Sequence, residues 1–587
     1  EMVAEAARDL YMDGFKDAQA PEFEFGTAEA IAREALRNPA AVLSPAEDEL
    51  ADPSSPEAHA VLRRVRFTRR VRAIVERRKR EARIRTYDDL QAILHRIVRD
   101  KEIGEKARAR IREQFGVVLV DEFQDTDPQQ WEIVRCCFHG HLPLVLVGDP
   151  KQSIYGFRGA EVLSYLSAVG TADQRLALDT NHRSDGDLVA ALARIYGGAQ
   201  LGHPDIVARA VAAARPGSQL SGAVPLRIRA LVRQDFTVFG ASGFPSVDQI
   251  RPRVIEDAAD DIAALLGSPV TVGDDARPVR PGDIAVLVRA NKTVEPLRRA
   301  LAERGIAAVV GSGTSVFRTA AARHWLWVLT AIESPARTNA VRLAATTTLV
   351  GWSAGDLAAA DDGQLSALAG HCAEWGRVFA DAGFSAMSAR IVEQTGVAAR
   401  VLAGPSGERI LTDLLQVAAI CNRQVMDLGW GISELTEWLT DRVADLSSHA
   451  RGEDQTRRLE SDAQAVQIMT VHASKGLQFP IVYLPFAWDS LHTPDDATIM
   501  YHDADGGRHL DVGGKTAPGR AGRWTQAQTE TVAEELRLLY VAATRARSQV
   551  VMWWAPAFGT RSSPLHRLIF GREAAVGATG ARVWSVP

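Results

Sequence analysis

The residues with the clearest chemical potential are two acids that follow an apolar run. Val117–Val120 are four consecutive apolar residues, and Asp121 and Glu122 come directly after them. The run predicts a buried parallel strand, so the acids lie at its carboxyl end, where open α/β sheets bind ligands. One carboxylate there can hold Mg²⁺ on a phosphate, and a second can orient or deprotonate an attacking water. Hydrolysis of a nucleoside triphosphate is therefore one interpretation, although a strand followed by two acids is common in other proteins.

A second apolar run, Leu144–Val147, leads into a Gly/Pro turn that is rich in chemically capable side chains. Gln152 can sense a phosphate. Tyr155 and Phe157 offer aromatic faces on which bases stack, and Arg158 lies nearby for a phosphate or a ring. The alternative is that Tyr155 and Phe157 are core aromatic residues.

Two arginines stand where a regular element ends. Arg183 follows the apolar pattern of Leu176 and Leu178, and Arg545 lies near the end of a helix predicted over Glu534–Arg547. In a two-lobed ATPase, Arg183 can reach across a cleft to the γ-phosphate as an arginine finger, with Arg545 as a second sensor. The alternatives are a structural arginine at a strand end and a helix-surface arginine.

Hydrogen-bond donors also cluster at the end of a strand predicted over Val466–Val471. Thr470, His472, Lys475 and Gly476 bring donors and flexible backbone to a place where a phosphodiester could lie. A lone histidine is more often structural, but this one has several donors around it.

The elements around these residues indicate α/β units with helical segments. A strand over Asp283–Arg289, a helix over Val294–Arg304 and a strand over Ile306–Val310 predict a βαβ-like unit. Residues 1–84 are helical by pattern, and residues 334–461 are Ala/Leu-rich and predict an inserted helical domain. Thr86 predicts a capped helix start, Ile481–Leu484 a strand, and Val550–Trp553 a last strand.

Two further stretches contain residue types that can bind phosphate. The basic run Arg63–Arg85 is either a solvated helix face or an edge that tracks phosphates. The polar, Gly-rich stretch 492–528 predicts a long loop and contains Gly513-Gly514-Lys515-Thr516. This is not a phosphate loop, because the glycine needed five residues before Gly514 is His509.

Composition leaves the choice of partner open. The 587 residues are 46% apolar and 24% charged, as in soluble globular proteins, and the net charge of −5 gives no overall basic surface. The four cysteines lack paired CxxC spacing, which disfavours a zinc or iron–sulfur site and makes a reducing cytoplasm the expected compartment. No apolar run approaches membrane-spanning length. The chain begins at Glu1 within a helical pattern, so we expect a piece of a longer polypeptide.

Five segments in this order resemble the motifs of UvrD-like superfamily 1 DNA helicases. They read DEFQDTDPQQW, VGDPKQSIYGFRGAE, LDTNHRS, VHASKGLQFPIVYLPF and EELRLLYVAATRAR. Their wording is most similar to the RecB branch, which contains the beta subunit of exodeoxyribonuclease V. The resemblance covers most of the chain, but residues 334–461 match only in their place and helical character.

The resemblance implies a role for each motif residue. Asp121 would bind Mg²⁺, Glu122 would activate water, and Gln152 would couple nucleotide state to DNA contacts. Arg183 and Arg545 would contact the γ-phosphate of ATP. The residues implied to contact single-stranded DNA, or to couple it to the nucleotide, are Tyr155, Phe157, Arg158, Thr470, His472 and Lys475. Those implied to contact the rest of the nucleotide are His182, Gly476 and Gln478.

The sequence also departs from the family pattern. No Gly-Lys-Thr phosphate loop precedes Asp121, although its lysine and threonine would supply major ligands for the phosphates and Mg²⁺. His182 stands where an aromatic residue often stacks on adenine, and Gln478 replaces a glutamate thought to meet the nucleotide sugar. The nuclease domain expected of the RecB branch is not in the sequence, which ends at Pro587.

The resemblance implies an α/β fold of two RecA-like parallel-sheet lobes with inserted helical domains. We predict that residues 85–173 form part of the first lobe, with 1–84 as its partial helical insertion. The second lobe is predicted over 174–333 and 462–587, with 334–461 as its helical insertion.

The implied function is an ATP-dependent 3′–5′ DNA helicase motor of a RecBCD-type helicase-nuclease in double-strand-break repair. Its partners would be single-stranded and duplex-end DNA together with RecC-like and RecD-like subunits, without a membrane. Two alternatives remain: a stand-alone UvrD-like repair helicase, and a non-enzymatic DNA-binding or scaffold subunit derived from a helicase. A missing phosphate loop motivates the second.

Overall fold

A computed structural model describes residues 2–15, 23–47, 50, 55–156, 162–237, 239–240, 243–310, 315–404, 407–444, 465–490, 498–503, 506–576 and 582–586. The chain divides into two compact units. The first unit comprises residues 1–258, 268–278 and 475–587, and the second comprises 259–267 and 279–474. The predicted lobe boundaries stay predictions.

Helices make up most of the regular structure. In chain order they are α1 (Met2–Phe15), α2 (Phe25–Arg37), α3 (Pro56–Glu81), α4 (Tyr87–Arg99), α5 (Gly104–Arg112), α6 (Pro128–Phe138), α7 (Val162–Thr171), α8 (Gly186–Tyr196), α9 (Val247–Leu266), α10 (Val294–Glu303), α11 (Ala320–Glu333), α12 (Thr338–Ala345), α13 (Ala354–Ala359), α14 (Asp362–Thr395), α15 (Val397–Leu402), α16 (Gly407–Leu428), α17 (Ile432–Ala444), α18 (Arg520–Ala543) and α19 (Pro564–Phe570).

The strands are short, with one exception of nine residues. They are β1 (Val42–Ser44), β2 (Val118–Val120), β3 (Leu144–Leu146), β4 (Thr180–Asp185), β5 (Ala212–Arg215), β6 (Leu220–Ser221), β7 (Leu226–Ala230), β8 (Thr271–Val272), β9 (Arg277–Pro278), β10 (Ile284–Val288), β11 (Ala308–Val310), β12 (Val466–Thr470), β13 (Phe479–Leu484), β14 (Ile499–His502), β15 (Arg508–Asp511), β16 (Ala546–Trp554), β17 (Glu573–Val576) and β18 (Arg582–Ser585).

Parallel pairing organises the functional end of the first unit. Strand β2 pairs with β3, with Leu119 opposite Val145. Strand β16 pairs with β13 on one side and β7 on the other, both in parallel. Strand β4 pairs in parallel with β5. The predicted mixed α/β class with parallel sheets is therefore confirmed.

The prediction that the first two strands are buried is wrong for one of their faces. Val120, Leu144 and Leu146 pack against the cluster of Phe123 and Trp131. The alternate side chains point the other way and are exposed, with Leu119 at 69%. A parallel strand is buried only when layers cover both faces of its sheet, and the described residues cover one. We call the uncovered side the exposed sheet face, formed by Val117, Leu119, Val145 and Val147.

The second unit combines a parallel sheet with a helical core. Strand β12 lies between β10 and β11, and β10 confirms the predicted strand; all five of its residues are buried, which is typical of a parallel strand covered on both sides. Helix α10 confirms the predicted helix beside it. Helices α11, α12, α14, α16 and α17 enclose an apolar core that contains Trp325 and Trp375. The predicted helical character of residues 334–461 is confirmed as far as Ala444, and the remainder lies outside the described residues.

The N-terminal part of the first unit is helical, as predicted, but it includes a strand. Helices α1, α2 and α3 pack together, and β1 pairs in parallel with β15. Helix α4 begins at the predicted cap, where Thr86 accepts from the Asp89 amide and Asp89 accepts from the Thr86 amide.

Three sequence-based boundaries were wrong. The predicted loop 492–528 contains the antiparallel pair β14–β15 and the first turns of α18. Helix α18 ends at Ala543, so Ala546 and Arg547 belong to β16. Strand β16 is not the last strand, because β17 and β18 follow it.

In the part of the chain that the structure describes, no helix is long and apolar enough to cross a membrane.

Candidate functional site

The two acids lie at the carboxyl end of β2, where the parallel pairing predicts a ligand site. Glu122 has φ 49° and ψ 38°, the left-handed region that few residues other than glycine adopt. Its amide donates to the Asp121 carboxylate over 2.8 Å, which helps to fix this tight turn. Non-glycine residues held in this conformation cluster at functional sites, because the surrounding structure must impose it.

We call residues 121–125 the acid turn. Gln124 connects this turn to the end of β3. Its side-chain amide donates to the Glu122 carboxylate, and its Oε1 accepts from the Asp149 amide over 2.9 Å. Gly148 makes this approach possible, because an added Cβ there would lie 2.6 Å from Gln124 Oε1. The ends of two neighbouring strands are thereby joined into one polar surface.

Gln152 lies in a short turn that follows Asp149. Its Nε2 donates to Asp149 Oδ2 over 3.1 Å, and its Oε1 accepts from Arg545 Nη2 over 3.3 Å. Lys151 pairs with the same aspartate over 2.7 Å. Gln152 therefore connects Asp149 to Arg545, which lies 393 residues further along the chain.

The two arginines converge on Thr544. Arg183 Nη1 donates to the Thr544 carbonyl over 3.2 Å, and Arg545 Nη2 lies 3.3 Å from the Thr544 hydroxyl. Arg545 is 1% exposed, and burial, followed by the positive charge of Arg183, lowers the pKa of its guanidinium to about 10. Burial also lowers the pKa of Arg183. Two guanidiniums placed together in this way favour an anion between or beside them.

Lys475 reaches the acid turn rather than open solvent. Its side chain is 9% exposed, and its Nζ lies 2.5 Å from Asp125 Oδ2 and 3.7 Å from Glu122 Oε2. The same ammonium donates to the Gln152 carbonyl over 3.3 Å and lies 5.2 Å from the centroid of the Tyr155 ring. Its predicted role on DNA would require the ion pair with Asp125 to break.

The remaining predicted residues fall into three groups. His182, Gly476 and Gln478 are exposed in the first unit, and Gly476 has φ +84°. In the second unit, the Thr470 hydroxyl accepts from the Ala473 amide over 3.2 Å, and His472 is partly buried. Phe157 and Arg158 lie outside the described residues. The roles of all of these residues stay predictions.

The structure adds residues that the sequence reasoning missed. Gln124, Asp125 and Asp149 complete the hydrogen-bond network, and Tyr540 packs beside Lys151, whose Nζ is 5.8 Å from the ring centroid. Asp149 follows the apolar run Leu144–Val147 after a single glycine, Gly148, much as Asp121 follows the first apolar run. This repeated pattern could have identified Asp149 from the sequence.

The donor set suits Mg²⁺ bound to a nucleotide. Asp121 presents an exposed carboxylate at the end of β2, and Asp149 lies at the end of the next strand. No cluster of three or more potential metal-ligating side chains occurs across the described ranges. Mg²⁺ commonly uses one or two carboxylates and takes its other ligands from water and substrate phosphates. Asp121 would therefore hold the ion together with phosphate oxygens, and the bound ion would neutralise charge on the phosphates.

The Lys475 ion pair gives a stability prediction for the 587-residue chain. Replacing Lys475 with methionine removes the ammonium that pairs with the half-buried Asp125, so we expect the free energy of unfolding to fall by about 1–3 kcal/mol. Urea unfolding measures this change. Lys106→Met, at an exposed position of α5, is the control and should change the value by less than about 0.5 kcal/mol. Equal effects of the two substitutions would contradict the buried ion pair.

Two family models match parts of the chain. Residues 15–172 match the UvrD/REP helicase N-terminal domain, and residues 433–556 match the UvrD-like helicase C-terminal domain. Three of the similar relatives that bear the name RecBCD enzyme subunit RecB show the extent of the likeness. The chain is 41% identical to that of Mycobacterium tuberculosis over 98% of its length, 40% identical to that of Mycolicibacterium smegmatis over 97%, and 32% identical to that of Escherichia coli over 86%.

The chain spans about half the length of these relatives, covering 51% of the first two and 43% of the third. The matched domains contain four of the five motif segments, and the fifth, LDTNHRS with Arg183, lies between the two domains. The chain belongs to the UvrD-like helicases, with RecB proteins among its similar relatives.

Proposed function

We propose that the chain is the central motor part of an ATP-dependent DNA helicase that acts as a subunit of a RecBCD-type helicase-nuclease. The observation that carries the proposal is the convergence of Asp121, Glu122, Gln152, Arg183 and Arg545. These residues are scattered over more than 400 positions, yet hydrogen bonds through Gln124, Asp149 and Thr544 connect them into one cluster in the first unit. A scaffold without catalysis gives no reason to bring acids, an amide and two guanidiniums together.

Each residue of the cluster has a chemical task in this proposal. Asp121 would hold Mg²⁺ beside the phosphates of ATP, and Glu122 would orient and deprotonate the attacking water. Arg183 and Arg545 stabilise the negative charge that develops on the transferred phosphoryl group. Gln152, bonded to Arg545, changes its partners when the γ-phosphate leaves and so reports the nucleotide state.

DNA contact is proposed for the motif residues beside this cluster. Tyr155 lies at the end of the turn that carries Gln152, and its aromatic ring can stack on a base. Lys475 contacts both this ring and the acid turn. We propose that movement along single-stranded DNA is 3′ to 5′, that RecC-like and RecD-like subunits complete the assembly, and that it acts on duplex ends in the cytoplasm.

The exposed sheet face supports a further part of the proposal. The alternate apolar residues of β2 and β3 have cover on one side only, whereas a parallel sheet needs cover on both. The cluster also lacks a phosphate loop, and the relatives are about twice as long. We propose that additional chain in the complete gene product covers this face and supplies the lysine that grips the phosphates.

A substitution at Leu119 tests this cover. In the 587-residue chain, Leu119→Ala should lower the free energy of unfolding by less than about 0.5 kcal/mol, because the side chain is already largely exposed. In the complete gene product, the same change should cost about 2–4 kcal/mol, as in a core. Urea unfolding of both lengths measures the two values.

Leu536→Ala is the control, because Leu536 is fully buried in α18 and should cost several kcal/mol in both lengths. A cost for Leu119→Ala that is equally small in both lengths would show that nothing covers the exposed sheet face.

The direct test of the proposed function uses the complete gene product with its natural partner subunits. ATP hydrolysis should depend on Mg²⁺ and rise on addition of single-stranded DNA, and a duplex with a 3′ single-stranded tail should be unwound. Salt-sensitive DNA binding without any response to nucleotide would instead support the scaffold alternative. Unwinding by the chain's gene product alone, without partner subunits, would support a stand-alone repair helicase.

A further inference from the structure

The residues from the Gln152 turn onward run alongside α18, and side chains in and just after this helix contact them at several points. We call residues 150–156 the linking segment. At one end, Gln152 accepts from Arg545, which follows α18, and Lys151 lies over the ring of Tyr540 in that helix. At the other end, the segment leads through Tyr155 to Gly156. It therefore joins the arginine side of the cluster to a residue proposed to contact DNA.

Arg537 holds the middle of the linking segment. Its guanidinium is buried within α18, 7% exposed, and its Nε donates to the Ser153 carbonyl over 2.9 Å. Its Nη1 donates to the Leu201 carbonyl over 3.3 Å. The planar fork of arginine can reach two carbonyls in different segments at once, which an ammonium cannot do with the same geometry.

Glu534 holds the far end of the linking segment. It lies one helical turn before Arg537 and accepts a hydrogen bond from the Gly156 amide. Gly156 lies so close to this carboxylate that a Cβ added to the glycine would be only 3.2 Å from Glu534 Oε2. Burial raises the pKa of Glu534 and lowers that of Arg537, and their opposite charges partly offset both effects.

We infer that Arg537 is a positioning residue that holds the linking segment against α18 and so keeps Gln152 and Tyr155 aligned with Arg545. The inference rests on the proposed function, because it gives this alignment the task of coupling ATP hydrolysis to DNA movement. Arg537 itself contacts main-chain carbonyls of Ser153 and Leu201, and neither of these is a nucleotide or DNA ligand in the proposal.

The chain offers a matched control in Arg567 of α19. It is equally buried, at 6% exposed, and also donates to two main-chain carbonyls, those of Val532 and Val586. Val532 belongs to α18, so Arg567 fixes the same helix at a place away from the linking segment. Lysine at either position should cost similar stability, but only the change at Arg537 should release the segment.

Amide hydrogen exchange on the 587-residue chain tests the physical link. In Arg537→Lys, we expect exchange of Ser153–Gly156 to become about tenfold faster, the loss expected from one charge-assisted hydrogen bond. Arg567→Lys should leave this peptide unchanged while loosening the end of the chain near Val586. Unchanged exchange of Ser153–Gly156 in Arg537→Lys would overturn the inference.

Coupling is tested in the complete gene product with its partner subunits. In Arg537→Lys, ATP hydrolysis without DNA should stay within about twofold of the parent, but about tenfold more ATP should be used per base pair unwound. Arg567→Lys should leave this ratio unchanged. A ratio unaffected by Arg537→Lys, or raised equally by Arg567→Lys, would reduce Arg537 to a structural residue.

The two measurements separate this inference from the proposed function. Absence of ATP hydrolysis by the parent enzyme would remove the proposed function, and the coupling role with it, while the exchange result would still decide whether Arg537 fixes the segment. If Arg537→Lys does not fold, Glu534→Gln takes its place. This change removes only the negative charge of the side chain that accepts a hydrogen bond from the Gly156 amide. It should raise exchange at Gly156, and unchanged exchange there would contradict the inference.

Discussion

Replacing Glu122 with glutamine should slow ATP hydrolysis by the complete gene product about 10²–10⁴-fold while leaving ATP binding intact. The amide cannot accept the proton that leaves the attacking water. It keeps an oxygen in the place where Gln124 now donates, so the left-handed turn should persist. Single-turnover hydrolysis and equilibrium binding of ATP measure the two effects separately.

Glu132→Gln is the control for this experiment. Glu132 is also a glutamate of the first unit, but it lies on α6 and pairs with Arg135 over 2.9 Å, away from the acid turn. Its replacement should leave hydrolysis within about twofold of the parent. Near-normal turnover by Glu122→Gln would remove Glu122 from its proposed role, and Asp125 would then be the acid to test.

Much of this site could be predicted because its residues stand at the ends of apolar runs. Parallel strands bring their carboxyl ends to one edge of a sheet, so Asp121 and the turn containing Gln152 had to be neighbours. The structure shows that adjacency, since β2 pairs in parallel with β3. The hydrogen bond between Gln152 and Arg545 has no local pattern behind it, and neither the sequence pattern nor the family resemblance predicted it.

The burial of the first strands could not be predicted from their composition. Four apolar residues in a row indicate that both faces of a strand are suited to a core, but exposure depends on which layers are present. In β2 and β3, alternate residues pack under Phe123 and Trp131 while Leu119 and Val145 do not. The error therefore marks a surface that is suited to further chain.

The stretch 492–528 was predicted as a loop for a different reason. Strands β14 (Ile-Met-Tyr-His) and β15 (Arg-His-Leu-Asp) have four residues each, which is too few for a clear period-2 pattern. The strands are defined by antiparallel pairing, with Met500 opposite Leu510, rather than by local propensity. Short strands of this kind depend on tertiary context.

Lys475 shows a third limit of sequence reasoning. Its position in a cluster of donors after a strand predicted a DNA contact, yet its ammonium pairs with an aspartate 350 residues away. Both functions use the same positive charge, so the residue type does not distinguish them. In the proposed function, DNA and the acid turn compete for Lys475, which would link the two sites energetically.

Replacing Arg545 with lysine should reduce the kcat of ATP hydrolysis about 10³-fold or more, the range typical of an arginine that stabilises a transferred phosphoryl group. Lysine keeps the charge but loses the fork that now reaches Gln152 and the main chain at Val541 together. Arg547→Lys is the control. Arg547 is only partly buried, bonds to Gln219, and should retain kcat within about twofold.

The pH dependence distinguishes loss of geometry from loss of charge. Burial, with Arg183 nearby, brings the pKa of Arg545 down to about 10, so its charge is retained through neutral pH. A lysine ammonium at this position starts from a lower ordinary pKa and meets the same burial, so it should lose its proton at a lower pH. The residual kcat of Arg545→Lys should therefore fall as pH rises from 6 to 9, while the parent shows no such loss from this group. A residual kcat that is independent of pH over this range would mean that the fork, rather than the charge, carries the contribution of Arg545.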